Sequence, residues 1–115
     1  MSYTEKDVIL LAAIIECEAG YKNYEALLAV GAVVVNRMKH ANYPNTVYGV
    51  IYQSGQFPPA TSGKMDDILK RGTKELCETA AKDALNGKTN VGDCIRFLAA
   101  SSGRPGTIIG DNVFY

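Results

Sequence analysis

The chain has 115 residues, enough for one domain with a real apolar core and too few for two independent ones. Lys plus Arg and Asp plus Glu stand at 12 each, so there is neither the basic field that attracts nucleic acid nor the acidic excess of a solvating tail. One domain, with no nucleic-acid partner, is the expectation from these numbers.

Thr4-Glu5-Lys6-Asp7 reads as a capping box with Asp in place of Glu, which starts a helix at about Glu5. The run Val8 to Ile15 has no polar side, and the helix is expected to end near Glu18, before Gly20. This run is too short to cross a bilayer, so no membrane insertion is expected. It also lacks the basic front and the small-residue cleavage pattern of a secretory leader, so export is expected to depend on something outside this chain.

Asn23 caps a second helix from about Tyr24 to Met38, apolar all round from Ala26 to Val35 and expected to pack antiparallel to the first. Pro44 bars helical continuation, and Thr46 caps a short helix reaching about Tyr52. Residues 54–63 read as extended loop with a short strand at Gln56-Phe57, since Pro58 and Pro59 are unsuited to a helix interior.

A short helix is expected from Met65 to Leu69. Thr73 then caps a clearer one, with Leu76, Cys77, Ala80, Ala81 and Ala84 on one face and Asn86-Gly87 as its stop. The tail, with Cys94 to Leu98, Thr107 to Gly110 and Val113 to Tyr115, suggests two or three short antiparallel strands. The sum is an α+β chain, mainly helical, with a small antiparallel β element. Cys17, Cys77 and Cys94 lack metal-ligand spacing with the lone His40, so they read as free thiols and no metal site is expected.

The chemistry concentrates at "ECEAG", residues 16–20. At 100° per residue, Glu16 and Glu18 point about 160° apart around a helix, so they cannot form a two-acid pair, and at most one faces a given cleft. Glu18 continues the stripe of Leu11, Ile14 and Ile15, which should desolvate it and raise its pKa, as a general acid requires. A plainer reading stays open: a helix-end carboxylate bonded to the Gly20 loop or paired with Lys22 or Arg37. Glu16 and Glu25 read as solvated, and His40 as a polar helix end. The aromatic residues suit a sugar-binding groove or plain packing.

Several stretches together resemble the cell-wall hydrolase domain of the spore cortex-lytic enzymes. They are Glu18-Ala19, Tyr24-Glu25 leading into Ala29 to Arg37, Tyr43-Pro44-Asn45-Thr46-Val47, Tyr48 to Gln53 followed by Gly55-Gln56-Phe57, and Ile109-Gly110-Asp111-Asn112-Val113-Phe114. The resemblance runs through most of the chain from residue 8, and it implies that residues 1–115 form a single catalytic domain of lysozyme-like fold. It further implies cleavage of the β-1,4 bond between N-acetylmuramic acid and N-acetylglucosamine, with Glu18 as the catalytic acid and no cofactor.

A lytic transglycosylase needs one carboxyl group, which donates a proton and takes one back, and the products carry 1,6-anhydro ends. Gln53 and Gln56 are candidate polar donors to the charged intermediate, and Phe57, Phe97 and Tyr115 candidate groove walls. The expected partner is peptidoglycan glycan, met by a monomer in the cell wall or spore cortex. A non-catalytic wall-binding domain of the same fold is the alternative.

Overall fold

The computed structural model describes residues 2–115. Its first helix, α1 (Glu5–Ala19), begins as the capping box requires. The Thr4 hydroxyl accepts from the Asp7 amide, and the Asp7 carboxylate accepts from the Thr4 amide. Gly20, with φ of 77°, ends α1 and donates its amide to the Glu16 carbonyl.

Four residues later α2 (Tyr24–Lys39) starts under an Asn23 cap. Every residue of α2 from Ala26 to Val35 is buried. The helix is greasy all round because it is enclosed all round, by α1 on one side and by α6 (Glu75–Leu85) on another. Gly31 sits where the three meet: a Cβ there would lie 3.1 Å from the Ala84 Cβ and 3.2 Å from the Ile15 Cδ1. Each of the fully enclosed side chains Leu11, Ile14, Ile15, Leu27 and Leu28 contributes about 1.5–3 kcal/mol through removal from water.

Between α2 and α6 lie α3 (Val47–Ile51), α4 (Pro59–Ser62) and α5 (Lys64–Arg71), all packed on α1. The extended reading of residues 54–63 is corrected here. No strand forms at Gln56-Phe57, and Pro58-Pro59 open a helical turn. Pro59 is the first residue of α4, where the missing N–H has no intrahelical acceptor to lose. The cap of α6 is corrected too. Lys74 takes that position without a side-chain bond, while the Thr73 hydroxyl donates to the Glu78 carboxylate. α5 extends beyond Met65–Leu69 at both ends, from Gly63 with φ of 95° to Gly72.

The tail forms a three-stranded antiparallel sheet, β1 (Phe97–Ala99), β2 (Thr107–Ile109) and β3 (Asn112–Phe114), in the order β1-β3-β2. Phe97 and Thr107 both stand opposite Phe114, and Leu98 and Ile108 both stand opposite Val113. The end of α2 fastens the approach to the sheet. The Asn36 amide donates to the carbonyls of Gly92 at 2.9 Å and Cys94 at 2.8 Å, and Arg37 Nε donates to the Ile95 carbonyl at 2.7 Å. A mainly helical α+β fold results, with the sheet at the end where α1 finishes and α2 continues into Asn36 and Arg37. Among the described residues no helix is long and apolar enough to cross a membrane, and the three cysteines are unpaired.

Candidate active site

The last turn of α1 carries both acidic residues of the ECEAG stretch and sends them to different neighbours. Glu16 turns toward α5, where both of its carboxylate oxygens accept from Arg71 Nη2, at 2.7 and 2.8 Å. Its side chain is only 9% exposed, which corrects the solvated reading. Glu18, on the opposite side of the same turn, has no ion pair or hydrogen bond to its carboxyl group among the described residues. The expected alternatives, a bond to the Gly20 loop or a pair with Lys22 or Arg37, are not formed.

Burial pushes the Glu18 carboxyl above the ordinary carboxylate range, against a smaller opposing pull from the Lys64 ammonium. Lys64 is held nearby by its bond to the Cys17 carbonyl at 3.3 Å. A position one residue from the carbonyl end of a helix is also one where a negative charge gains nothing from the helix dipole.

Two depressions meet at Glu18. One, of about 220 Å³, is lined by Glu18 with Gln56, Phe57, Phe97, Leu98 and Tyr115, and by Arg37 and Arg96. The other, of about 340 Å³, runs from Glu18 past Gly20 and Asn23 to Gly110, Asp111 and Asn112 at the β2–β3 turn. The first is continued, through shared Gln56 and Arg96, by a third hollow of about 360 Å³ bordered by His40, Tyr43 and Gln53. The surface is therefore grooved on both sides of one half-buried acid, as an extended polymer requires.

Five of the six residues singled out from the sequence, Glu18, Gln56, Phe57, Phe97 and Tyr115, line the same depression. Gln53 does not; it lies in the continuing hollow, with its Oε1 buried and without a partner. Phe57 contributes little open surface, at 4% exposed, and packs toward Phe97 with ring centroids 6.5 Å apart. Phe97 in turn lies 5.4 Å from Phe114, so this wall is the edge of the core. The guanidinium of Arg104 stacks 3.8 Å above the Tyr115 ring.

Sequence reasoning missed Arg37, Arg96 and Leu98 on this side of Glu18, and Asn23, Asp111 and Asn112 on the other. Arg37 lies beyond Asn36, outside the continuous enclosed run Ala26 to Val35, so the sequence pattern gives no sign of its burial. His40 is a helix end as expected. Its amide donates to the Arg37 carbonyl, and its Nδ1 accepts from the Asn42 amide.

Comparison with known proteins gives a consistent picture. Residues 22–115 match the cell wall hydrolase family, a stretch that begins four residues after Glu18. Spore cortex-lytic enzymes of Bacillus cereus and Oceanobacillus iheyensis are each 31% identical to the chain, over 84% and 92% of it. The chain spans 36% and 37% of their lengths. Among solved structures, the catalytic domain of the germination-specific lytic transglycosylase SleB from Bacillus anthracis superposes with a TM-score of 0.83 at 27% identity, covering 98% of this chain and 96% of that one. The catalytic domain of Bacillus cereus SleB gives 0.80 at 29% identity, covering 98% and 91%.

Proposed function

The chain belongs to the cell wall hydrolase family, and from that premise we propose that it cleaves the β-1,4 bond between N-acetylmuramic acid and N-acetylglucosamine, as a lytic transglycosylase. The observation that carries the reading is the state of Glu18. It is a half-buried carboxyl group with no counter-ion bound to it, raised in pKa by burial, where two depressions meet. A neutral carboxyl group in that place is a proton donor for a glycosidic oxygen lying across it.

The bond to the leaving sugar breaks as Glu18 gives its proton to the bridging oxygen, and positive charge grows on C1 and the ring oxygen. The resulting Glu18 carboxylate then takes the proton of the C6 hydroxyl as O6 bonds to C1, which closes the 1,6-anhydro ring and restores the acid. One residue serves as acid and base, and no water enters. Gln56 offers polar atoms to the intermediate from the depression wall, while Gln53 acts from the neighbouring hollow on the more distant part of the glycan. Phe97 and Tyr115 present partly open ring surface to the sugar, and Phe57 backs them.

The chain acts in this reading as one catalytic domain and a monomer, on glycan strands of the cell wall or spore cortex. Asp111 favours a second reading: it lines the depression on the far side of Glu18, and a second carboxylate is what a hydrolase uses to direct water. Mass spectrometry of products released from purified sacculi separates the two. Anhydro-muramyl ends are expected; reducing muramyl ends overturn transglycosylation, and no released glycan overturns the enzyme reading in favour of a wall-binding domain.

A further inference from the structure

Arg37 is the buried polar or charged residue that the glycosidase reading leaves without a task. It is 5% exposed, yet no carboxylate pairs with it among the described residues. Its Nε is used by the Ile95 carbonyl, its Nη1 is buried without any partner, and its guanidinium carbon lies 5.2 Å from the Tyr43 ring centroid and 5.3 Å from that of Phe57. A buried charge is normally paired, because leaving a guanidinium desolvated and unmatched is expensive. Two aromatic faces and one carbonyl offset part of that cost, and the side chain whose Nη1 stays unpartnered borders the depression.

A second cation stands beside it. Arg96 is exposed and borders both this depression and the hollow that continues it; burial first, and Arg96 to a smaller extent, disfavour the charge on Arg37, against opposing pulls from Tyr43 and Tyr115. Like charges brought together in a recess need a compensating anion. Yet among the described residues Glu18 is the sole carboxylic side chain bordering these two hollows, and burial favours its neutral form. In a chain whose charges balance overall, this half of the groove is positive, while Asp111 makes the other half acidic.

We propose that Arg37 and Arg96 form a carboxylate-binding subsite beside Glu18, which takes the free lactyl carboxylate of a muramic acid residue whose stem peptide has been removed. The inference rests on the glycan-cleavage reading. The lactyl group hangs from C3 of the sugar, a few bonds from the C1 at which Glu18 acts, so its carboxylate falls within the same small depression as the acid. The carboxylates of a stem peptide lie farther along a flexible chain. A guanidinium suits this task through its fixed fork of donors, and a buried one holds its geometry without further loss of side-chain entropy.

The test measures binding of the Glu18→Gln chain, which holds glycan without turning it over, to three preparations. One is amidase-treated glycan strands with free lactyl carboxylates, the second the same strands coupled to methylamine so that the lactyl group is a neutral amide, and the third untreated peptide-bearing strands. The free acid is expected to bind about tenfold tighter than the methylamide, the margin between a charged and a neutral hydrogen bond.

Adding Arg96→Gln, on the exposed surface, or Arg37→Lys, which keeps charge but loses the fork, is expected to shrink that preference severalfold. Because both side chains line the depression, the readout is the ratio of acid to methylamide affinity within each variant, and thermal melts beside the Glu18→Gln chain control for folding. Equal binding of acid and amide, or a preference unchanged in both variants, overturns the subsite and leaves the glycan reading standing. Tightest binding of peptide-bearing strands overturns the lactyl assignment by moving the carboxylate to the stem peptide. Failure to bind any preparation overturns both readings.

Discussion

Replacing Glu18 by Gln exchanges the ionisable carboxyl for an amide that has no proton to transfer and almost the same volume, so its effects on rate and on stability separate cleanly. A positioned general acid contributes about 10²–10⁴-fold to rate. That is about 2.7–5.5 kcal/mol of barrier at 1.36 kcal/mol per tenfold. Here the same carboxyl group is the base of the second step, so the upper end of that range is expected in the clearing of purified sacculi followed by turbidity.

Stability should move the other way. Burial raises the folded-state pKa of Glu18, so between its unfolded and folded values the native chain binds more protons than the unfolded one. Stability due to this group therefore falls as pH rises through that window, and above it the carboxylate is a standing penalty. Gln carries no such penalty. The variant is expected to melt at or above the parent temperature at pH 7, with the difference vanishing below the unfolded pKa of about 4.3. A folded Glu18→Gln chain that clears sacculi at the parental rate would falsify the role assigned to Glu18. A variant that loses clearing together with several degrees of melting temperature would show that the side chain is structural.

Gly106→Ala should loosen the sheet that carries Phe97 and leads to Tyr115, because a Cβ there would collide with the Phe114 carbonyl oxygen and stand 2.9 Å from Val113 Cγ2. A loss of about 1–3 kcal/mol in denaturant melts is expected, with slower clearing; an unchanged melt contradicts the contact. Thr4→Ala removes the hydroxyl that accepts from Asp7 and should cost about 1 kcal/mol, with clearing per folded molecule unchanged. Burial, assisted by the nearby Glu16 carboxylate, pushes the Cys77 thiol up to about 12, so thiol reagents at pH 8 should leave it unmodified until denaturant is added. Peptide mapping that finds Cys77 labelled in the native chain contradicts its enclosure.

How much of this was written in the sequence differs by element and for physical reasons. α1 and α2 were legible nearly to the residue because capping chemistry and wholly apolar runs are local signals. So was the divergence of Glu16 from Glu18, which is a matter of helix geometry alone. Pro58-Pro59 misled because two prolines forbid a helix interior and say nothing against a helix start, where α4 uses them. The Thr73 cap failed for a related reason: its hydroxyl found the Glu78 carboxylate, a choice that depends on side-chain reach.

The site was legible in part. Residues brought to Glu18 by the loop after α3 and by β1 were identifiable, whereas Arg37 and Asp111 were not. Arg37 stands on a helix that looks polar at its end until the segment around Ile95 covers it. Asp111 reaches the groove through the β1-β3-β2 order of the sheet and the turn before β3, a non-local arrangement.

The central claim is that burial raises the pKa of the Glu18 carboxyl group at the place where glycan crosses it. The most direct measurement is a carbon-13 NMR titration of the Glu18 carboxyl in the folded chain, with the Glu18→Gln chain identifying its resonance. The account predicts a midpoint above that of an ordinary glutamate, coinciding with the pH at which wall clearing declines on the alkaline side. A midpoint at or below the ordinary value contradicts it.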